Sequence, residues 1–296
     1  MATAVLIVNY HAYDDLRRCL ESLVPHLATD DEIVVVDYEC DETALARAVD
    51  VPVRVATVPR SDNLGFAAGI NLAAQLARAP FLLLLNPDTI VEGPTVRMLE
   101  AWLTSHPDAG VAGPRVLNAD GTVQASARRF PGVTTLLGGR TTWLTRRFPG
   151  NWLSTRNLLA QDAKEPVDVD WVSGSCLMTR RAVFDSIGGF DEAFFLYWED
   201  ADYCRRAAQA GFRSVYVPAA PVRHAGGTSA EHSPATAIRA FHASAFRLYW
   251  KHASAAGRLA APIARVGLWL RGEWLATRAM RDRNASRTSC PPSGGP

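Results

Sequence analysis

Apolar residues cluster in four short runs over about the first 90 positions: Val5–Val8, Ile33–Val36, Val53–Thr57 and Phe81–Leu85. The last of them, Phe81–Leu85, runs without polar–apolar alternation, as expected of a strand buried on both faces of a parallel sheet. Helical periodicity occupies the intervals, at about residues 14–24, 41–49 and 65–78. The β-α-β-α-β-α-β order predicts a mostly parallel sheet with right-handed crossovers and helices on both faces.

Beyond it the pattern predicts a helix near Thr95–Ser105 and a hairpin around Asn118-Ala-Asp-Gly121, a strong turn signal. Residues 126–168 carry Arg128, Arg129, Arg140, Arg146, Arg147 and Arg156 with Trp143 and Trp152 between them, and read as long loops. Regularity returns with a strand at Trp171–Thr179 and a short helix at Arg180–Ile187, ended by Gly188-Gly189. A helix over Glu199–Ala210 follows, stopped by Gly211, and then a strand at Phe212–Val217.

From Phe246 to Arg287, nine Lys or Arg residues stand against Glu273 and Asp282. Leu259, Ile263, Val266, Leu270 and Trp274 fall three or four apart, an apolar helical stripe, while Lys251, Arg258 and Arg265 share another face. This pattern fits a helix packed on the body with a solvated basic side, and equally one lying on an anionic membrane. Pro262 argues against one long continuous helix. Residues Asn284–Pro296 are polar and rich in Pro and Gly, and are expected to be disordered.

Composition removes several classes. A net charge of +1 argues against a protein that coats nucleic acid. Cys19, Cys40, Cys176, Cys204 and Cys290 form no CxxC pair, so neither a zinc site nor a disulfide framework is indicated and a reducing cytoplasm is the expected home. The N-terminus enters a strand without a basic n-region, and no apolar run approaches the roughly 20 residues needed to span a bilayer.

The candidate chemistry lies at strand ends. The Phe81–Leu85 run stops at Asn86-Pro87-Asp88, where proline forces a turn and leaves a carboxylate at the carboxyl edge of the sheet, the edge where α/β proteins bind ligands. A carboxylate there suits a divalent cation that also grips a diphosphate; the plain alternative is a turn cap. Strand one ends in Asn9-Tyr10 and strand two in Asp37. An aromatic ring can stack on a base and a carboxylate can accept a pyrimidine N3–H, though Tyr10 could equally be packing and Asp37 a helix cap. The segment after strand one, Asn9-Tyr-His-Ala-Tyr13, contains no glycine, which excludes the GxGxxG turn of a dehydrogenase and the Gly-rich basic loop of a nucleotidyltransferase.

Two further constellations stand out. In Asn63-Leu-Gly-Phe-Ala-Ala-Gly-Ile-Asn71, Gly65 permits close backbone approach and Asn63 can cap the following helix, while Asn71 needs a buried partner. Phe194-Phe-Leu-Tyr-Trp198 leads into Glu199-Asp200-Ala-Asp202, where acids suit a first helical turn but could also supply a general base. Arg223-His224-Ala-Gly-Gly227 follows a strand; His224 could complete a metal shell beside Asp88, or be a satisfied structural residue.

Together the motifs Ile7-Val-Asn-Tyr10, Val34-Val-Val-Asp37, Asn63–Asn71, Leu85-Asn-Pro-Asp-Thr89, Ser126-Ala-Arg-Arg-Phe-Pro131, Gly188-Gly-Phe-Asp191, Trp198-Glu-Asp-Ala-Asp202 and His224-Ala-Gly-Gly227 resemble the family 2 glycosyltransferases, most closely the bacterial rhamnosyltransferase branch. The resemblance spans Val5 to about His224. It implies an α/β GT-A fold, with a Rossmann-like nucleotide-binding half on a mostly parallel sheet joined to an acceptor-binding half, plus C-terminal helices. The expected division is 1–227 catalytic (1–92 nucleotide-sugar-binding, 93–227 acceptor and catalytic), 228–283 helical extension and 284–296 tail. The resemblance further implies inverting transfer with Mg²⁺ or Mn²⁺ on Asp88 and His224, and Asp200 as catalytic base with Glu199 beside it. Nucleotide-sugar contacts would come from Val8, Tyr10, Asp37, Asn63, Gly65, Asn71, Asn86 and Asp88, and acceptor contacts from Arg128, Trp171 and Trp198. The expected donor is dTDP-L-rhamnose, and the acceptor a glycan or lipid-linked sugar of a cell-surface polysaccharide, in the cytoplasm or at the inner face of the cytoplasmic membrane; the alternative is a UDP-hexose donor or a small-molecule or protein acceptor. An inactive sugar-binding scaffold is the alternative of a different class, and would be expected to lack Asp88 or Asp200. One departure stands: Tyr38-Glu-Cys-Asp-Glu-Thr43 replaces the family's Asn-Ala-Ser type of loop after Asp37, which leaves the nucleotide open.

Overall fold

The computed structural model describes residues 1–130, 163–224 and 233–288, with side chains as far as Asp282. Arg140, Trp143, Arg146, Arg147, Trp152, Arg156, Pro131 and Gly226-Gly227 lie outside the described residues.

The first half follows the hydropathy pattern closely. β1 (Thr3–Asn9), α1 (Tyr13–Leu23), β2 (Glu32–Asp37), α2 (Glu42–Ala48), β3 (Val55–Pro59), α3 (Phe66–Leu76) and β4 (Phe81–Leu85) alternate as expected. β1 pairs in parallel with both β2 and β4, and β2 with β3. Both faces of the central strands are apolar because both are covered: Leu6, Val34, Leu82 and Leu84 join one core cluster, while Val5, Ile7, Ile33, Val35, Leu83 and Leu85 join the other.

The second half continues with β5 (Thr89–Val91), α4 (Thr95–Ser105), β6 (Ala109–Leu117), β7 (Ala127–Arg128), β8 (Val167–Val169), β9 (Trp171–Val172), β10 (Cys176–Arg180), α5 (Arg181–Ser186), α6 (Glu199–Gln209) and β11 (Arg213–His224). The main sheet runs β3-β2-β1-β4-β10-β6-β11-β5, with β8 on β11, while β7 and β9 form a separate ribbon. β10 is antiparallel to both β4 and β6, so its beginning meets the carboxyl end of β4, with Cys176 opposite Leu85. β11 is parallel to β6 and antiparallel to β5, which sets His224 across from Thr89.

Three expectations change. The strand expected over Trp171–Thr179 is two strands, broken at Ser173-Gly174-Ser175. The strand after Gly211 runs well past Val217, with a register break between Val217 and Pro221 where the ladder tolerates prolines. The Asn118–Gly121 turn forms, with Gly121 N–H donating to the Asn118 carbonyl at 2.9 Å, but its return arm makes a single bridge, Leu117–Val123.

The C-terminal region comprises α7 (Pro234–His252), α8 (Ala255–Leu259) and α9 (Ala261–Thr288). Pro262 sits in the first turn of α9, where a missing N–H costs nothing, so it starts a helix rather than interrupting one. Helical backbone reaches Thr288, into the stretch expected to be disordered. Among the described residues no helix is long and apolar enough to cross a membrane.

Candidate active site

At the carboxyl ends of β1 and β2, Asp37 is buried and accepts three hydrogen bonds: from Asn9 Nδ2 at 2.7 Å, Tyr13 Oη at 2.9 Å and the Cys40 backbone N–H at 3.0 Å. These bonds give Asp37 a structural role beside the base contact expected of it. Its two oxygens knit the end of β1, the start of α1 and the turn after β2, so it builds the floor of this edge. Tyr10 is the exposed aromatic there, its ring 4.2 Å from that of His11, and His11 pairs with Glu39 from the loop after β2.

The β4 end brings two of the expected residues within contact distance. Asp88 Oδ1 lies 3.1 Å from His224 Nε2, and Asn86 Nδ2 lies 3.4 Å from the same nitrogen. The antiparallel β5–β11 pairing brings these residues together across a gap of more than a hundred positions. Gln124 Oε1 lies 3.2 Å from His224 Nδ1. A hydrogen bond between Nδ1 and that oxygen would orient the ring with Nε2 toward Asp88, the arrangement a metal-ligating imidazole needs. Gln124 was missed in the sequence because nothing near it marks a partner for a histidine a hundred residues on.

The break between β9 and β10 links this turn to the second carboxylate. The Ser175 carbonyl accepts from the Asn86 N–H at 3.0 Å, and the adjacent Gly174 N–H donates to Asp200 Oδ2 at 2.9 Å. Two neighbouring residues of one loop thus hold Asp88's turn and Asp200 in fixed relation. Asp200 is half-buried at the start of α6, and Ala201 N–H donates to its Oδ1 at 2.7 Å. Burial raises its pKa above the ordinary carboxylate value, opposed by those two N–H groups and by the charge of Arg128. Glu199 beside it is buried, and its Oε2 has no hydrogen-bond partner. Burial first, then the Asp200 charge, pushes its carboxyl well above the usual carboxylate range.

Beside Asp200, Arg128 lies 5.3 Å over the Trp171 ring, whose centroid is 6.0 Å from Trp198. All three expected acceptor-side residues therefore gather there. Tyr197 and Trp198 both adopt positive φ (68° and 69°), a strained backbone for aromatic residues that the packing around them must hold. Part of that packing is Phe241 of α7, 5.2 Å from the Trp198 ring, which the sequence reading did not identify.

The Asn63–Asn71 segment turns its polar groups inward. Asn63 Oδ1 accepts from the Gly65 N–H at 2.9 Å, and Phe66 N–H donates to the Phe195 carbonyl at 2.9 Å. Gly65 has φ +92°, and a Cβ there would stand 2.3 Å from the Phe195 oxygen. Asn71 bonds both the N–H and the carbonyl of Phe190 at 2.9 Å. Val8 packs against Gly69. These residues were expected to touch the nucleotide sugar; their contacts within the chain fasten the loop before α6 to the nucleotide half.

Comparison with known proteins agrees with this architecture. A model described as "Glycosyltransferase like family 2" matches residues 2–244. The N-acetylglucosaminyl-diphospho-decaprenol L-rhamnosyltransferase of Mycobacterium tuberculosis is 34% identical over 258 residues, covering 82% of each chain. A rhamnosyltransferase of Escherichia coli strain K12 is 40% identical over 83 residues, 28% of each chain. Among solved structures, a mannosyltransferase from Pyrobaculum calidifontis in complex with GDP-Man and Mn²⁺ superposes with a TM-score of 0.54 at 17% identity, over 98% of this chain and 81% of its own. GalNAc-T7 with UDP, GalNAc and Mn²⁺ gives 0.58 at 18% identity, over 76% of this chain and 44% of that longer one. At these identities the two structures speak to the fold alone.

Proposed function

The chain belongs to the family 2 glycosyltransferases, and we propose that it is an inverting, divalent-metal-dependent rhamnosyltransferase acting on a lipid-linked sugar acceptor in cell-surface polysaccharide synthesis. The observation that carries this reading is the Ser173–Ser175 loop, which couples the Asp88 turn to Asp200 through adjacent residues. A leaving diphosphate at Asp88 and an acceptor hydroxyl at Asp200 are the two ends of one displacement. Asp200 takes the hydroxyl proton as that oxygen bonds to the anomeric carbon from the face opposite the diphosphate. The sugar–phosphate bond breaks in the same step, so the centre inverts without a covalent enzyme intermediate.

Asp88 and His224 would hold Mg²⁺ or Mn²⁺, with Asn86 beside them. Carboxylate oxygen and imidazole nitrogen 3.1 Å apart form a donor set that fits. Among the described residues no group of three or more His, Cys, Asp or Glu forms a complete shell. A cation here would therefore share its remaining positions with the diphosphate, whose negative charge it would offset. Tyr10 is the proposed stacking surface for the base. Arg128, Trp171 and Trp198 are proposed to face the acceptor.

The preferred donor is dTDP-L-rhamnose, on the strength of the two rhamnosyltransferase relatives, with a UDP-hexose as the alternative. Such a donor and a lipid-linked acceptor would meet at the inner face of the cytoplasmic membrane. Thermal melting with a panel of nucleotide sugars, with and without Mg²⁺ or Mn²⁺, tests the assignment. A metal-dependent rise of the midpoint with dTDP-rhamnose, lost in Asp88→Ala, is expected. A larger rise with a UDP-hexose would change the donor, and no metal-dependent rise in a folded sample would overturn the reading.

A further inference from the structure

The last helix is apolar on two opposite faces, and only one is covered among the described residues. Toward the body, Ala261, Gly272 and Ala276 are buried; a Cβ at Gly272 would meet His242 of α7 at 3.2 Å, and Glu273 pairs with Arg239 of α7 at 2.8 Å. On the other side Ile263, Val266, Trp269, Leu270 and Trp274 each remain more than half exposed, from 55% at Leu270 to 79% at Ile263, and Leu259 at the end of α8 is 85% exposed. The stripe legible in the sequence is thus the face the packing leaves open. A run of five large apolar side chains on one side is far more than the scattered exposure normal for a soluble surface.

Cations lie both beside the stripe, at Arg278, and on the α7 side of the helices, at Arg258 and Arg265. Arg258 lies over the Trp250 ring at 5.4 Å, Arg265 over Phe246 at 5.8 Å and Arg278 over Trp274 at 5.8 Å. Of the two acids in this region, Glu273 is occupied by Arg239, and Asp282 lies 3.9 Å from Arg278. An apolar face carrying tryptophans, with arginines beside it and toward α7 and on a helix unable to cross a membrane, suits a surface that is apolar inside and anionic at its rim. A second copy would set the same arginines against one another, which disfavours self-pairing.

We propose that this face docks the protein on an anionic lipid bilayer, with the helix lying in the interfacial plane and its Leu, Ile, Val and Trp side chains below the headgroups. The consequence for catalysis rests on the acceptor assignment above. α7, on which α9 packs, reaches the acceptor side directly: Phe241 abuts Trp198, Ser244 Oγ donates to the Leu196 carbonyl at 2.9 Å, and Lys251 and His252 both reach Asp202 of α6 at 2.8 Å. Docking would therefore hold the Trp198–Asp200 wall at the bilayer, where a lipid-linked acceptor lies.

Vesicle sedimentation of the full chain tests this without donor or metal, so its outcome is separate from that of the nucleotide-sugar assay. Binding to phosphatidylcholine vesicles containing phosphatidylglycerol is expected, weaker on phosphatidylcholine alone and weaker at high salt. Ile263→Asp with Leu270→Asp, and separately Arg258→Glu with Arg265→Glu, should each lower vesicle affinity about tenfold or more. Because these side chains are exposed, melting temperature and lipid-free elution should not change. Wild-type affinity in both double variants, no binding at low salt, or a lipid-free dimer dissociated by Leu270→Asp would each overturn the proposal.

Discussion

Asp37 and Asp200 stand on the two sides of the proposed site and are treated in opposite ways. Asp37 ends a central strand and is enclosed by three donors from regular elements and the turn beside them. Asp200 begins a helix reached through two residues of positive φ, receives backbone N–H groups from a broken strand and from its own turn, and sits beside a buried carboxyl oxygen with no partner. Both sides carry strain and an unmet group, with positive φ at His11 (53°) and Cys40 (57°) and an unpartnered Asn9 Oδ1 near Asp37; what differs is the carboxylates, since Asp37 is met by three side-chain and backbone donors while Asp200 sits beside the buried, unpartnered Glu199 oxygen. Such features persist only where surrounding structure over-determines them, and they gather where protons move.

The largest expected effect breaks the comparison at its chemical end. Asp200→Asn should lower turnover by roughly 10²–10⁴-fold, the usual worth of general-base help, while donor-induced stabilisation stays close to wild type. Asp37→Asn should do the reverse, weakening donor binding and stability with a smaller change in turnover at saturating donor. Steady-state kinetics beside thermal melting with donor separates the two. Equal turnover losses in both variants would remove the division between the sides.

Next in size is the joint between the two sides. Gly65→Ala puts a methyl group into the Phe195 carbonyl at a backbone angle that L residues avoid. A cost of about 3 kcal/mol or more in folding stability is expected, read from denaturant unfolding. A loss well below 1 kcal/mol would show that the 194–198 loop is not held through this contact.

These variants also mark what the sequence could and could not disclose. The parallel half was legible because its central strands are buried on both faces and each helix is short and bounded, so local pattern and tertiary role agree. Asp88, His224 and Asp200 were legible as chemistry because each follows an abrupt stop in a periodic run. Gln124, Gly174 and Phe241 were not, since their roles come from an antiparallel strand inserted between parallel ones and from a helix folded back across the acceptor side. Asn71 was recognised as needing a buried partner, but which partner depended on the Gly189-Phe190 turn more than a hundred residues away. The break at Ser173–Ser175 was hidden for a related reason: small residues between apolar ones look like a continuing strand until two hydrogen-bond partners claim them from outside.

The smallest effect concerns Glu199, whose buried carboxyl should be read through pH. Its folded pKa lies above the unfolded value, chiefly from burial. The folded state therefore keeps a proton that the unfolded chain releases. The stability this contributes is fully present below about pH 4.5, the unfolded value, and is lost as pH rises through the folded pKa. Glu199→Gln cannot ionise and escapes that loss, although the buried amide brings its own constant cost. The midpoint difference between Glu199→Gln and wild type should thus move in favour of the variant as pH rises, by roughly 2–4 °C for each kcal/mol of burden removed. The slope of that difference is the readout, since a constant packing penalty shifts both ends equally. Parallel curves would mean that Glu199 is ionised in the folded protein, and the proton acceptor of the pair would then have to be assigned anew.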